Sequence, residues 1–405
     1  MTADLCPIGQ LSFPPKEYHH EKNTLAIVLS GVFVAMTTGV QAANVQVYGL
    51  IDTSIVYEHS DPDVTGQKAT NKLTMENAQQ FGSRFGLRGS EDLGNGLKLG
   101  FTLESGFKSD TGELDQQGRL FGREANISIS GQYGTVWAGL LPIFGSTLGA
   151  NGLFRAIDPV TANYTTAFGT GAATAGLMTR VDNAIAYRTP TIAGFTGYAM
   201  YSFKMNNKAS DTNEQVEGKN SSDRYASLAV RYQAGALESV LVADTTDWGN
   251  KPNQSNQNDG WTVTLGGNYT LDNGLKLLAF YQQFENQLLN TKARAGVGLA
   301  GIEALLKAQD APGSYGYVTG WGAGIGANYP IVGGVARIAL NHREMDNEND
   351  IDFTRTTVGA AFDYPLSKRT ALYTMGGWSQ EKVENHGQEA TPNGWEAMVG
   401  MVHRF

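Results

Sequence analysis

Arg84 and Arg88 stand four residues apart in FGSRFGLRG, where the odd positions Phe81, Phe85 and Leu87 are apolar. In a strand, an even spacing puts both guanidiniums on one face and the apolar side chains on the other. The same alternation sets Lys98 and Glu104 on the polar face of LKLGFTLESGFK, and it turns Arg188, Arg231, Arg337 and Arg355 the same way from other segments. Permanent charges on the wet face of an otherwise apolar strand, with no nucleophile or base beside them, suit the sorting of ions by field rather than covalent chemistry.

Catalytic and ligand-binding patterns are weaker. GVGLAG at 296–301 matches a dinucleotide-binding glycine spacing and precedes the helix-like IEALLKAQ, but there is neither a preceding strand in a βαβ unit nor an acid about 20 residues on. EMDNENDID at 344–352 has acids at alternate positions yet lacks the central Gly and closing Glu of a calcium loop, so it reads as a solvated loop able to bridge divalent cations loosely. His59 and His386 lie in polar stretches, and His342 and His403 fall on the apolar side by parity, so no Ser–His pair is identifiable. No enzyme, cofactor or metal is expected.

The segments that carry the charges repeat along the chain. NISIS, ARIALNHR and TVGAAFDY alternate as the first two do, and the chain stops on Phe405 inside the alternation GWEAMVGMVHRF. Gly makes up 50 of 405 residues, charged residues are 17 % and mean hydropathy is −0.27. That is too polar for a helical membrane protein and too rich in Gly for helix bundles. A net charge of −9 argues against a nucleic-acid partner.

Connections sort into two kinds. Seven short ones carry turn residues, at 90–96, 131–134, 189–194, 233–236, 271–274, 329–334 and 364–369. Between them fall eight longer polar stretches, near 58–80, 109–120, 142–180, 205–221, 247–258, 287–313, 345–352 and 384–392. Fifteen connections imply sixteen strands. A soluble sandwich has no reason to sort its loops by side, whereas a closed transmembrane barrel does, with apolar residues toward lipid and polar ones toward a wet lumen. Hydrocarbon also forbids an open edge, so the strand ending at Phe405 should pair with the first, VQVYGLIDTSIVY. The fold class expected is all-β, a sixteen-stranded antiparallel transmembrane β-barrel over 44–405.

Ahead of it, the apolar run Thr24 to Met36 follows Lys22 and precedes small residues, the pattern of a secretory signal peptide. Residues 1–43 are therefore expected to be removed, with cleavage after Ala42 or Ala43, and with them Cys6, the only cysteine.

Several of these segments resemble the trimeric general porins of Gram-negative outer membranes, the branch typified by neisserial and beta-proteobacterial members. The resemblance rests on VQVYGLIDTSIVY, SRFGLRGSEDLGNGLKLGFTLESGF, GREANISISGQYGTVWAG, RVDNAIAYRTPTIAGF, LSKRTALY and the terminal VHRF, spread from residue 45 to 405. It implies a homotrimer in outer-membrane lipid and lipopolysaccharide, a third long loop folded inward to narrow the pore, and a terminal Phe405 read by the barrel-assembly machinery. It also implies passive diffusion of small hydrophilic solutes and ions.

The SR pair at Arg84 resembles part of the basic wall of the family's eyelet. With Arg88 and Glu124 on the wall, and Arg155, Asp158 and Arg180 from the third loop, it makes up the expected constriction. Two positions depart from the family pattern: Leu140 follows Gly139 where members carry Arg, and Glu124 stands where anion-preferring members often have a second basic residue. The local field is expected to favour anions, with Glu124 opposing. A substrate-specific channel would need an aromatic track, and Tyr48, Trp137 and Tyr225 on separate strands do not form one. An adhesin or anchor would predict a plugged lumen or one dominant extracellular domain, whereas the loops are of similar modest size apart from the third.

Overall fold

A computed structural model describes residues 44–63, 65–160, 168–206, 216–250, 258–289 and 315–405. The expected signal segment, and the 296–309 glycine-rich and helix-like stretch, lie outside the described residues.

The alternating segments pair edge to edge. They are β1 (Asn44–Asp61), β2 in two pieces (Thr70–Asn77 and Arg84–Gly94), β3 (Leu97–Gly106), β4 (Glu124–Gly131), β5 (Gly134–Pro142) and β6 (Arg180–Arg188). There follow β7 (Phe195–Ser202), β8 (Arg224–Ala234), β9 (Leu237–Asp247), β10 (Gly260–Thr270) and β11 (Lys276–Leu288). The last are β12 (Tyr317–Ile331), β13 (Gly334–Asn347), β14 (Asp352–Pro365), β15 (Thr370–Asn385) and β16 in two pieces (Gln388–Ala390 and Asn393–Arg404).

Each of these sixteen staves is antiparallel to its neighbours, and β1 closes the sheet on β16 in register from Leu50↔Arg404 to Asp61↔Asn393. The closure runs to the last residue: Gly49 and Phe405 exchange backbone hydrogen bonds of 3.1 and 3.0 Å. Phe405 is thereby held where an unpaired terminus would fray.

The pleat sorts the side chains. Val45, Val47, Ile51 and Ile55 of β1, Ile127 and Ile129 of β4, and Leu228 and Val230 of β8 are exposed, while the alternate positions of the same strands are shielded or polar. A belt of bare Ile, Val and Leu around a closed sheet is stable in hydrocarbon and prone to aggregate in water.

Three of the expected long loops hold much strand: 58–80 includes the end of β1 and Thr70–Asn77 of β2, and 345–352 and 384–392 include the ends of β13, β14, β15 and β16, joined by the turns 348–351 and 386–387. The polarity of the last two reflects hairpins in which the exposed face carries Asp346, Asp352 and Glu384 in place of apolar side chains, while Met345, Asn347 and Asn385 on the other face are buried, so composition resembles a loop while the hydrogen-bond ladder continues.

Phe81 departs further. It does not continue the apolar face of β2, because β2 breaks between Asn77 and Arg84: Thr53 pairs with Asn77 and Leu50 with Arg84, so six residues of β2 stand opposite two of β1. Ala78, at φ +61°, starts the excursion.

Candidate functional site

The polar face of the sheet meets the connection between β5 and β6. Described parts of that connection carry an apolar front: Ile143, Phe144, Leu153, Phe154 and Ile157 are buried against Ala184 and Ala186 of β6, Tyr198 and Met200 of β7, and Val240 and Val242 of β9. Fully burying side chains of this size contributes about 1.5–3 kcal/mol each.

Farther round, side-chain amides on the polar face bond the connection's backbone. Asn268 of β10 donates to the Ala156 carbonyl at 2.7 Å, Gln282 of β11 accepts from the Ala175 N–H at 2.7 Å, and Asn341 of β13 donates to the Phe168 carbonyl at 2.7 Å. The Phe168 ring then lies against Gly359 of β14 and Gly377 of β15, where a Cβ on either glycine would collide with it. This segment, expected from its composition to be small and neutral, is thus tied to staves from β6 to β15.

Between it and the β1–β3 wall lies a cavity of about 780 Å³. Arg84 and Arg88 of β2 line it, as do Glu124 of β4 and Arg155 and Asp158 of the β5–β6 connection. Arg155 is held by the Thr147 carbonyl at 2.7 Å and by the Gly149 carbonyl. Asp158 accepts from the Thr170 N–H at 3.2 Å. Arg180, the remaining member of the expected constriction, opens β6 opposite Pro142 and does not line this cavity.

Further lining charges escaped the sequence reading of the constriction: Arg123, Lys276 and Arg404, together with Glu104 and Arg337 that had been placed elsewhere in the lumen. Lys276 and Arg404 follow the even parity of β11 and β16, so that signal was present. Arg123 precedes β4, outside any alternation, and only the fold brings it to Glu104.

Glu104 is the hub of this wall. Its Oε1 accepts from Arg123 Nε at 2.6 Å, with Arg84 at 3.8 Å, and its Oε2 accepts from the Tyr48 hydroxyl at 2.9 Å. Arg123 and Tyr48 therefore hold the carboxylate more closely than Arg84 does. Arg88 lies over the Tyr48 ring at 4.9 Å and donates to Gln46 at 3.2 Å.

Other arginines predicted for the lumen are paired. Arg231 bonds Glu238 at 2.7 Å and Arg337 bonds Asp363 at 2.8 Å, while Arg188 covers the Trp137 ring at 5.2 Å and reaches Asn151 at 3.2 Å. Arg355 joins Arg343 on Glu381, at 3.3 and 2.8 Å, with all three side chains essentially buried. Lys98 is exposed near the turn end of β3. Among the described residues no group of three or more His, Cys, Asp or Glu could hold a metal ion.

The comparisons with known proteins agree with this geometry. A family model described as Gram-negative porin matches residues 28–384. An outer membrane porin protein of Bordetella pertussis is 31 % identical over 403 residues, spanning 95 % of this chain and all of the relative. A solved anion-selective porin from Comamonas acidovorans superposes with a TM-score of 0.61 at 25 % identity, covering 90 % of this chain and all of that one. The outer membrane protein OmpT of Vibrio cholerae, solved in a trimer form, shares the fold at a TM-score of 0.58, 14 % identity and 90 % coverage of this chain. A closed sixteen-stave barrel with an apolar belt, a charged interior and a match over most of its length places this chain in the Gram-negative porin family.

Proposed function

We propose that this porin, an outer-membrane channel for small hydrophilic solutes, prefers anions and is narrowed by its third long loop, the β5–β6 connection, folded inward to face the β1–β3 wall across the cavity. The observation that carries the reading is the charge lining the cavity: seven cations, Arg84, Arg88, Arg123, Arg155, Lys276, Arg337 and Arg404, against the three carboxylates Glu104, Glu124 and Asp158. Arg123 pairs with Glu104 and Arg337 with Asp363, which leaves Arg84, Arg88, Arg155, Lys276 and Arg404 against Glu124 and Asp158.

Charges on the outer turns are screened beyond roughly 8 Å at physiological salt, whereas these act where an ion must pass. None needs to bind tightly, because conduction requires release. The anion selectivity of the Comamonas acidovorans relative supports the same reading.

Reversal potential across a KCl gradient, in bilayers holding the purified protein, tests it. An anion-selective potential is expected, and a cation-selective one refutes the preference. The homotrimer is supported by the trimer form of the Vibrio cholerae neighbour, and a heat-modifiable trimer is expected on gels.

Phe405, half exposed on the outer face beside Gly49, is proposed as the signal read by the barrel-assembly machinery. Deleting it should lower the yield of assembled protein and leave the conductance of surviving channels unchanged. Outer-membrane lipid and lipopolysaccharide are the expected surroundings of the apolar belt.

A further inference from the structure

The covered wall of β13–β15 holds more buried donors than its own acceptors take up. We propose that it binds one small inorganic anion, of chloride size, with Arg343 as the principal ligand. The inference goes beyond the channel reading and does not rest on it, because the site lies away from the wet cavity.

Strand register builds the compartment. Gly322, Arg343, Arg355 and Glu381 stand opposite one another across β12–β15. Residues two positions along each strand share that face, and they form two flanking rows: Met345, Phe353 and Val383 toward the long loops, and Asn341, Thr357 and Ser379 toward the short turns. Every one of these side chains from β13–β15 is buried.

The third loop closes the inner side. Its Phe168 carbonyl accepts from Asn341, its turn Thr170–Ala172 packs on β13, and its Ala173 carbonyl lies so near Gly322 that a Cβ there would collide with it. Tyr315 covers what is left, with its ring centre 5.9 Å from the Arg343 guanidinium.

Inside this enclosure the hydrogen bonding is lopsided. Glu381 accepts from Arg343 Nη2 at 2.8 Å, from Arg355 at 3.3 Å and from the Tyr315 hydroxyl at 3.2 Å. Nε and Nη1 of Arg343, with the hydroxyls of Ser379 and Thr170, are buried and have no hydrogen-bond partner among the described residues. Against these four groups able to donate, the acceptor in the same condition here is Asn341 Oδ1.

A buried donor without an acceptor is costly, and proteins answer it with water or an ion. Water serves donors and acceptors alike, whereas a surplus of donors around a guanidinium that cannot lose its charge selects an anion. Arg343 and Glu381 keep no exposed side-chain surface, so only an ion of about the size of a water molecule fits among them. Such a site retains its ion and ties the third loop to the far wall, unlike a conducting cavity, which must release what it binds.

The experiment uses the purified full-length protein in NaCl, NaBr and sodium gluconate at equal ionic strength, with unfolding followed by heat-modifiability on gels. Crystals grown in NaBr locate bromide by its anomalous scattering. Chloride and bromide should raise the unfolding temperature above that in gluconate, by on the order of 2 °C, and the rise should level off as the site fills. A bromide peak should lie within about 3.5 Å of Arg343 Nε or Nη1.

Arg343→Gln should lose both the halide shift and the peak. If that variant does not assemble, the bromide peak in the parent decides. A parent without a peak at Arg343 overturns the inference whatever the salts do to stability, and shows that water alone serves these donors. A halide shift of undiminished size in Arg343→Gln places the anion elsewhere and overturns it as well.

Discussion

Arg84 on β2 and Arg355 on β14 obey the same alternation and point to the same interior, yet they do different work. The side chain of Arg84 keeps 24 % of its surface exposed and lines the charged cavity beside a carboxylate that Arg123 holds more closely. Arg355 keeps 1 %, and with Arg343 it shares Glu381 under the Tyr315 ring and a cluster of Phe353, Met345 and Val383. Side-chain parity selects the face of the sheet, not access to water. A guanidinium paired and covered by aromatics braces one stave against the next, while one left wet contributes a field to passing ions.

The largest effect should come from the covered wall. Glu381→Gln leaves two buried guanidiniums without their carboxylate, and breaking such a pair costs about 3–5 kcal/mol. Heat-modifiability on gels should move to a clearly lower temperature, with little change in reversal potential. An unaltered unfolding temperature would break the distinction between the two walls.

The open wall should respond in the other readout. Arg84→Ser should move the reversal potential toward cations, more at low salt, since a unit charge at 4 Å in water is worth about 1 kcal/mol and so roughly fivefold in the local concentration of each ion. Arg355→Ser should leave that potential in place while lowering stability. Equal shifts from the two variants would show that burial does not mute the second arginine.

A third contact lies outside both walls, where water is plentiful, and should show the smallest effect. Asp63 beyond β1 accepts from the Thr391 backbone N–H at 2.7 Å and from its hydroxyl at 2.8 Å, and these bonds hold its carboxyl below the usual carboxylate range. The folded value is depressed, so the contribution is present at neutral pH and is lost as pH falls through that folded value. Protection of the Thr391 amide against hydrogen exchange should decline in acid in the parent but stay flat in Asp63→Asn. An identical acid decline in that variant would show that the carboxyl is not the titrating group.

Much of the barrel was legible in the chain because a strand with two different solvents on its faces must alternate. Seven short turns and the pairing of Phe405 with β1 follow from that constraint and from the impossibility of an open edge in lipid. The same rule failed at 345–352 and 384–392, since hairpins that leave the belt lose the apolar half of the pattern while keeping the ladder. It failed at Phe81 for a different reason. An aromatic at an odd position looks lipid-facing unless the strand breaks beside it, and the break is held by Asp52, whose carboxylate accepts from the Gln80 and Phe81 N–H groups and from Tyr373, all distant in sequence.

What the amino-acid sequence determined by itself is the local alternation, the places where it is interrupted, and the face each charge would take, because these depend only on neighbours along the chain. Which charges share the cavity was decided by the closed tertiary structure. Arg123 reaches Glu104, Arg343 and Arg355 meet on Glu381, and Gln80 crosses to Asp363 because closure brings staves far apart in sequence round one interior. Whether a given arginine there ends wet or covered depends on carboxylates and rings delivered by other strands, which no period along a single strand encodes.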